Sequence, residues 1–236
     1  MAGRIALVGS GEYLPVMHEV EAWLLDGRPS KFVQLATAAA PEGDHSITYW
    51  RNLGADAAHR LGAEQVFVDV RNPADADDPE LVELIRGAGL IYFSGGNPSF
   101  LARTLTGSAV LTAIIDEWRS GASLGGCSAG AMAIGGYIPN IRHPRSGGTD
   151  GFAVVPEIRV LPHFDRFSSW IPNFAAQLLT SPGHHVVGID EETALIAEPS
   201  SDEEWHFTAV GNQRVWLVSG EGQDPISELR LRVAVG

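Results

Sequence analysis

Short apolar runs that end in glycine-rich turns alternate with stretches of helical periodicity through the first half of the chain. Arg4-Ile5-Ala6-Leu7-Val8 reads as a buried strand closed by Gly9-Ser10-Gly11-Glu12, and Val16 to Leu25 then carries apolar residues at helical spacing. Phe32 to Ala36 predicts a second strand, Ser46 to Leu61 a second helix, and Gln65 to Val70 a third strand. A loop with acidic residues and prolines, Asn72 to Asp78, precedes a short helix from Pro79 to Arg86. Leu90-Ile91-Tyr92-Phe93 predicts a fourth strand ending in Ser94-Gly95-Gly96-Asn97-Pro98, and a helix over Ala109 to Arg119 leads to Ala122 through Gly126 and on to Cys127-Ser128-Ala129-Gly130. Strands that alternate with helices of this length imply a mostly parallel sheet covered on both faces, the three-layer α/β class. From about Ala153 the texture changes: Val154 to Leu161, Val186 to Asp190, Thr193 to Ala197, His206 to Val210 and Val215 to Val218 read as short strands, with one helix between Asp165 and Leu179. This C-terminal part is expected to add antiparallel strands to the sheet edge.

Composition narrows the picture. At 236 residues and 44% hydrophobic content the chain can build one sizeable core, and without a repeat or linker a single domain over residues 1–236 is expected. The start leads into an apolar run too short for a signal peptide, and no stretch reaches the ~20 apolar residues of a membrane helix. A soluble protein follows. Cys127 is the only cysteine, so neither an internal disulfide nor a thiolate metal cluster can form, which fits a cytoplasmic location. A formal charge of −13 argues against nucleic acid, because binding there needs basic side chains on phosphates. Oligomeric state, monomer or homodimer, stays open. Lys31 is the only lysine among 16 basic residues, which we take as compositional bias.

The chemistry concentrates at Gly126-Cys127-Ser128-Ala129-Gly130. It matches the G-x-S-x-G elbow, with a strand before it and a helix after, a turn that lifts the central serine above the sheet and aims the next amide at an oxyanion. A plain glycine-rich turn is the alternative. Cys127 occupies the elbow's second position, where a side chain points into the packing. Ligands bind outside the carboxyl ends of strands in such sheets, so the Gly95-Gly96-Asn97 loop should lie beside the elbow, with the Gly96 amide a candidate second oxyanion donor.

A serine hydroxyl needs a base, and the base needs an orienting group. Of eight histidines, His163 is best placed, directly after a strand and after the serine in chain order; His143, His184 and His185 fall in turns or polar loops. Asp190, Glu191 and Glu192 stand together between two predicted strands, and one of them could orient His163, or all three could be a solvated turn.

Together these segments resemble the serine peptidases that include dipeptidase E and cyanophycinase, built on a fold like that of class I glutamine amidotransferases. The resemblance spans nearly the whole chain and implies no metal or organic cofactor. It implies Ser128 as nucleophile, His163 as base, Glu191 as orienting acid, the amides of Gly96 and Ala129 as the oxyanion hole, and hydrolysis of a peptide or isopeptide bond in small aspartyl peptides. Asn97 resembles the dipeptidase E loop and marks a substrate-binding position. Cyanophycinase-like members carry Asp-Gln after the double glycine, where this chain has Asn97-Pro98. Arg166 could pair with a substrate carboxylate, or with Asp165 or another nearby acid. Two other readings are a non-catalytic amidotransferase-like module and a nucleotide-binding protein; the latter lacks a third glycine at Leu14 and a P-loop lysine. Ile138 to Asp150 is either a flap over the site or an ordinary exposed loop.

Overall fold

The computed structural model describes residues 1–140, 147–167, 183–199, 204–219 and 222–232. Its first half alternates as the apolar pattern dictates: β1 (Ile5–Val8), α1 (His18–Leu25), β2 (Lys31–Leu35), α2 (Asp44–Leu61), β3 (Glu64–Phe67), α3 (Pro79–Glu83), β4 (Leu90–Phe93), α4 (Pro98–Leu105), α5 (Ala109–Arg119), β5 (Ser123–Cys127) and α6 (Ala129–Ile134). Beyond it come β6 (Tyr137–Ile138), β7 (Thr149–Asp150), β8 (Ile158–Pro162), α7 (Phe164–Phe167), β9 (His185–Ile189), β10 (Thr193–Pro199), β11 (Glu204–Gly211), β12 (Val215–Val218), β13 (Gln223–Ile226) and β14 (Glu228–Arg232).

Eight strands form the main sheet in the order β14-β11-β10-β1-β5-β4-β2-β3. The five from β1 to β3 run parallel, and β10, β11 and β14 extend that sheet antiparallel beyond β1. Side chains alternate between its faces, as strand geometry requires. Ile5 and Leu7 join the larger apolar cluster with α4, α5 and α6, whereas Ala6 and Val8 join the cluster made with α1 and α2. The result is helix, sheet, helix, because each face must bury its own apolar side.

Two features differ from the sequence expectation. The strands over β8, β9 and β12 do not join the edge of the main sheet: with β13 they make a separate four-stranded sheet, ordered β13-β12-β9-β8, whose Val160, Val187 and Val215 pack into the larger cluster. Helix α4 begins where the sequence marks only the end of the Gly95-Gly96-Asn97 loop: the Asn97 side chain caps the helix and Pro98 occupies its first turn. Residues 141–146 of the segment read as a flap or an exposed loop, and 168–179 of the expected helix after Asp165, lie outside the described residues. Among the described residues no single helix is long and apolar enough to cross a membrane.

One charged group is buried under the first loop. Glu21 of α1 is fully buried, and one of its oxygens accepts the Tyr13 amide at 2.7 Å while the other has no partner among the described residues. Burial pushes its carboxyl from the ordinary 4.5 up to about 7. A raised folded-state value stabilises the fold below pH 4.5, and that contribution is lost as pH climbs to 7. Glu21→Gln is therefore expected to flatten the decline in unfolding free energy between pH 4.5 and 7, a difference on the order of 3 kcal/mol at pH 7. Urea titrations of both proteins across that range check it; parallel pH curves would refute it.

Candidate active site

The carboxyl ends of β1, β5, β4 and β2 lie along one edge of the main sheet, and the glycine-rich segments leave from there. At the end of β5 the chain turns at Ser128 with φ 49° and ψ −105°, a left-handed geometry that costs on the order of 1–3 kcal/mol for a residue with a side chain. Its amide donates to Val8 O at 2.9 Å, and α6 starts at the next residue. The two flanking glycines permit the turn: a Cβ on Gly126 would stand 2.6 Å from the Gly130 carbonyl carbon, and one on Gly130 would stand 2.7 Å from Phe93 Cβ. Ser128 is part-exposed between buried neighbours on both sides. Cys127 faces inward, fully buried, and burial pushes its thiol well above the ordinary range, which leaves it without thiolate character.

His163 follows β8 and itself has φ 50°. Its Nε2 lies 3.0 Å from Ser128 Oγ and its Nδ1 3.0 Å from Glu191 Oε1. The three adjacent carboxylates of the β9–β10 turn are thus separated by what they touch. Asp190 is buried and accepts from the Arg214 amide and the Trp216 indole; Glu192 accepts from Asn212; Glu191 alone meets the imidazole. Glu191 is also fixed from behind. Asp165 accepts its backbone N–H at 2.9 Å, Gln213 donates to its carbonyl at 3.0 Å, and the Arg166 guanidinium donates to Oε2 at 2.8 Å. Arg166, then Glu191's own hydrogen bond to His163, hold the carboxyl below its usual range against the opposing effect of partial burial. Of the two partners considered for Arg166 from sequence, a nearby acid is the one it meets, and it lines neither cleft described below.

The Gly95-Gly96 loop arrives from β4 on the other side of the serine. Gly96 has φ 135°, which leaves it as glycine's place, and a side chain there would collide with the Ala38 carbonyl. Among the described residues the Gly96 amide has no acceptor, and the amide of Ala129, first in α6, is in the same condition. The Gly95 amide is taken: it donates to Glu12 Oε1 at 3.0 Å. Glu12 is a buried residue that sequence reading quoted but gave no role. Burial raises its carboxyl's pKa, opposed by hydrogen bonds from Cys127 and Gly95. Nothing in its local pattern distinguishes it from a loop acid, because its burial comes from β4 and β5 arriving later in the chain.

Asn97 uses its side-chain oxygen on the Phe100 amide at 2.9 Å, so the position marked for substrate serves first as the cap of α4. It does border a cleft. Two clefts meet at Gly96: one of about 420 Å³ contains Ser128, His163 and Glu12, and one of about 640 Å³ runs past Asn97 to Arg103 and Met132. Among the described residues no cluster of three His, Cys, Asp or Glu side chains could hold a metal ion.

Comparison with known proteins identifies the family. A family model described as peptidase family S51 matches residues 45–203. The solved structure of a peptidase from an acI-B1 Actinobacterium is 41% identical, with a TM-score of 0.86 and 98% of each chain covered. A putative peptidase E protein from Listeria monocytogenes EGD-e shares the fold, at 18% identity and a TM-score of 0.61 over 90% of this chain and 100% of its own. A comparison with curated protein sequences returned no match. With its elbow, its glycine loop and two-thirds of its length inside the family's pattern, this chain belongs to peptidase family S51 and is a serine peptidase.

Proposed function

We propose that Ser128, His163 and Glu191 are the catalytic triad of this peptidase and that it hydrolyses small peptides through an acyl-enzyme. The observation that carries the reading is the continuous line from Ser128 Oγ through both imidazole nitrogens to Glu191, at 3.0 Å for each link. In the first step His163 Nε2 takes the hydroxyl proton as Oγ bonds to the scissile carbonyl carbon. Glu191 accepts from Nδ1–H, which fixes the tautomer with Nε2 free and stabilises the imidazolium that forms. The carbonyl oxygen becomes an oxyanion and takes the amides of Gly96 and Ala129 as donors, a contribution of roughly 3–4 kcal/mol per well-placed donor. The tetrahedral species collapses as His163 gives its proton to the leaving amine, and the amine departs. Water then attacks the acyl-Ser128 ester by the same route in reverse, releasing the acid and the free hydroxyl.

Arg166 acts in this scheme as a positioning residue. Its two hydrogen bonds hold Glu191 Oε2, so that Oε1 is the oxygen left for the imidazole. The depressed carboxyl keeps Glu191 ionised through the neutral range, and it becomes protonated only in acid.

The direct test of the triad is covalent. A fluorophosphonate probe should label wild type on Ser128 and leave Ser128→Ala unlabelled, read by intact mass; label retained in the alanine variant would move the nucleophile elsewhere. His163→Ala should lower kcat by about 10³-fold or more with an unchanged circular dichroism spectrum. For Arg166, removal of its charge should raise the Glu191 pKa. The acid limb of the kcat/KM profile of Arg166→Ala should accordingly move to higher pH, with activity at the plateau reduced less than in His163→Ala. Superimposable profiles for Arg166→Ala and wild type would deny Arg166 this role.

A further inference from the structure

The described residues expose four large hydrophobic side chains, Met1, Leu14, Tyr49 and Leu84, and two of them stand at the same place. Leu14, 40% exposed, and Tyr49, 52% exposed, both line the cleft that contains Ser128 and His163. Trp50 and Leu53 complete that wall, with the Tyr49 and Trp50 rings edge to face at 5.2 Å. Leaving such surface in water is unfavourable at about 25 cal/mol per Å², so apolar area gathered beside a nucleophile marks a binding surface.

The charges of the same cleft point the same way. Neither lysine nor arginine is among its described lining residues. Its one carboxyl is Glu12, at the floor: a Cβ on Gly95 would stand 3.1 Å from Glu12 Oε1 and 3.7 Å from Ser128 Cβ, so the acid lies close behind the reacting group. A substrate carboxylate entering here would leave water with no cation to receive it and an acid below, whereas an aromatic ring would replace water on an apolar wall. The aspartyl side chain that the family resemblance suggests finds no cationic partner among the described lining residues of this cleft.

We propose that the Leu14, Tyr49, Trp50 and Leu53 cleft is a specificity subsite for an apolar, preferably aromatic, side chain of the residue beside the scissile bond. This rests on the serine-peptidase reading of Ser128 and His163, since that is what places the cleft next to the bond broken. The cleft selects by shape and apolar area, and Tyr49 and Leu14 do the selecting at its rim.

Kinetics on a panel of dipeptides and tripeptides test it, with Phe, Leu, Ala, Asp or Lys placed on either side of the scissile bond. Wild type should favour Phe over Ala at one of the two positions by about 10-fold or more in kcat/KM and disfavour Asp there. Tyr49→Ala and Leu14→Ala, both at exposed positions, should lose most of the Phe preference, through KM more than through kcat. Tyr49→Arg should raise turnover of the Asp peptide relative to Phe. Equal rates across the panel, or an Asp preference at both positions, would overturn the subsite. Failure of the peptidase reading is told apart by the fluorophosphonate probe: no labelling of wild-type Ser128 rejects the reading. Calorimetric titration of Ser128→Ala, which needs no turnover, then still judges the cleft, since tighter binding of Phe than Asp peptides supports it and the reverse order refutes it.

Discussion

Where β1 ends, the chain of the β9–β10 turn crosses it at a distance that only glycine allows. A Cβ on Gly9 would overlap the Asp190 carbonyl, the Gly9 amide donates to Thr193 O at 2.9 Å, and the Glu192 amide donates to Ser10 O at 3.2 Å. Through this crossing the second sheet is tied to the first. β9 lies in the four-stranded sheet and β10 in the eight-stranded one, so the three residues between them fix how far apart the sheets can be. Glu191 is one of those residues. Its position relative to Ser128 follows from backbone contacts, and the side-chain hydrogen bonds are added to a spacing already set.

The same division explains how the residues of the proposed triad are supplied. The main sheet brings Ser128 from β5 and the glycine loop from β4; the second sheet brings His163 from β8 and Glu191 from β9. Rigid strands hold each pair, and the left-handed turns at Ser128 and His163, with φ 49° and 50°, aim the two side chains at one another. Such torsions persist where surrounding structure dictates them, here the packing of α6 and of the α7 start against neighbouring strands.

Much of this was legible along the chain, for reasons that can be named. The elbow and the Gly95-Gly96 loop are local signals, because close backbone approach demands glycine at particular positions. His163 stood out as the histidine directly after a strand. The second sheet was not legible: β8, β9 and β12 carry the same apolar pattern as β10 and β11, and which strands pair is decided by long-range contacts, not by periodicity. Helix α4 escaped because Asn-Pro signals a turn and a helix start alike. Among Asp190, Glu191 and Glu192 the residues gave no order, since their different partners come from β12, α7 and the loop after β11. Arg166 likewise offered a positive charge whose partner only the folded turn supplies.

Mounting the proposed triad on two sheets has a consequence for how the molecule fails. Ser128 and the glycine loop keep their geometry as long as the parallel core stands, but the imidazole and its acid remain in register only while the smaller sheet stays docked. The two sheets do not part independently: Val160, Val187 and Val215 of the smaller one pack into the larger apolar cluster, so whatever undocks it also opens that core, and the alignment of His163 with Ser128 is lost in the same event.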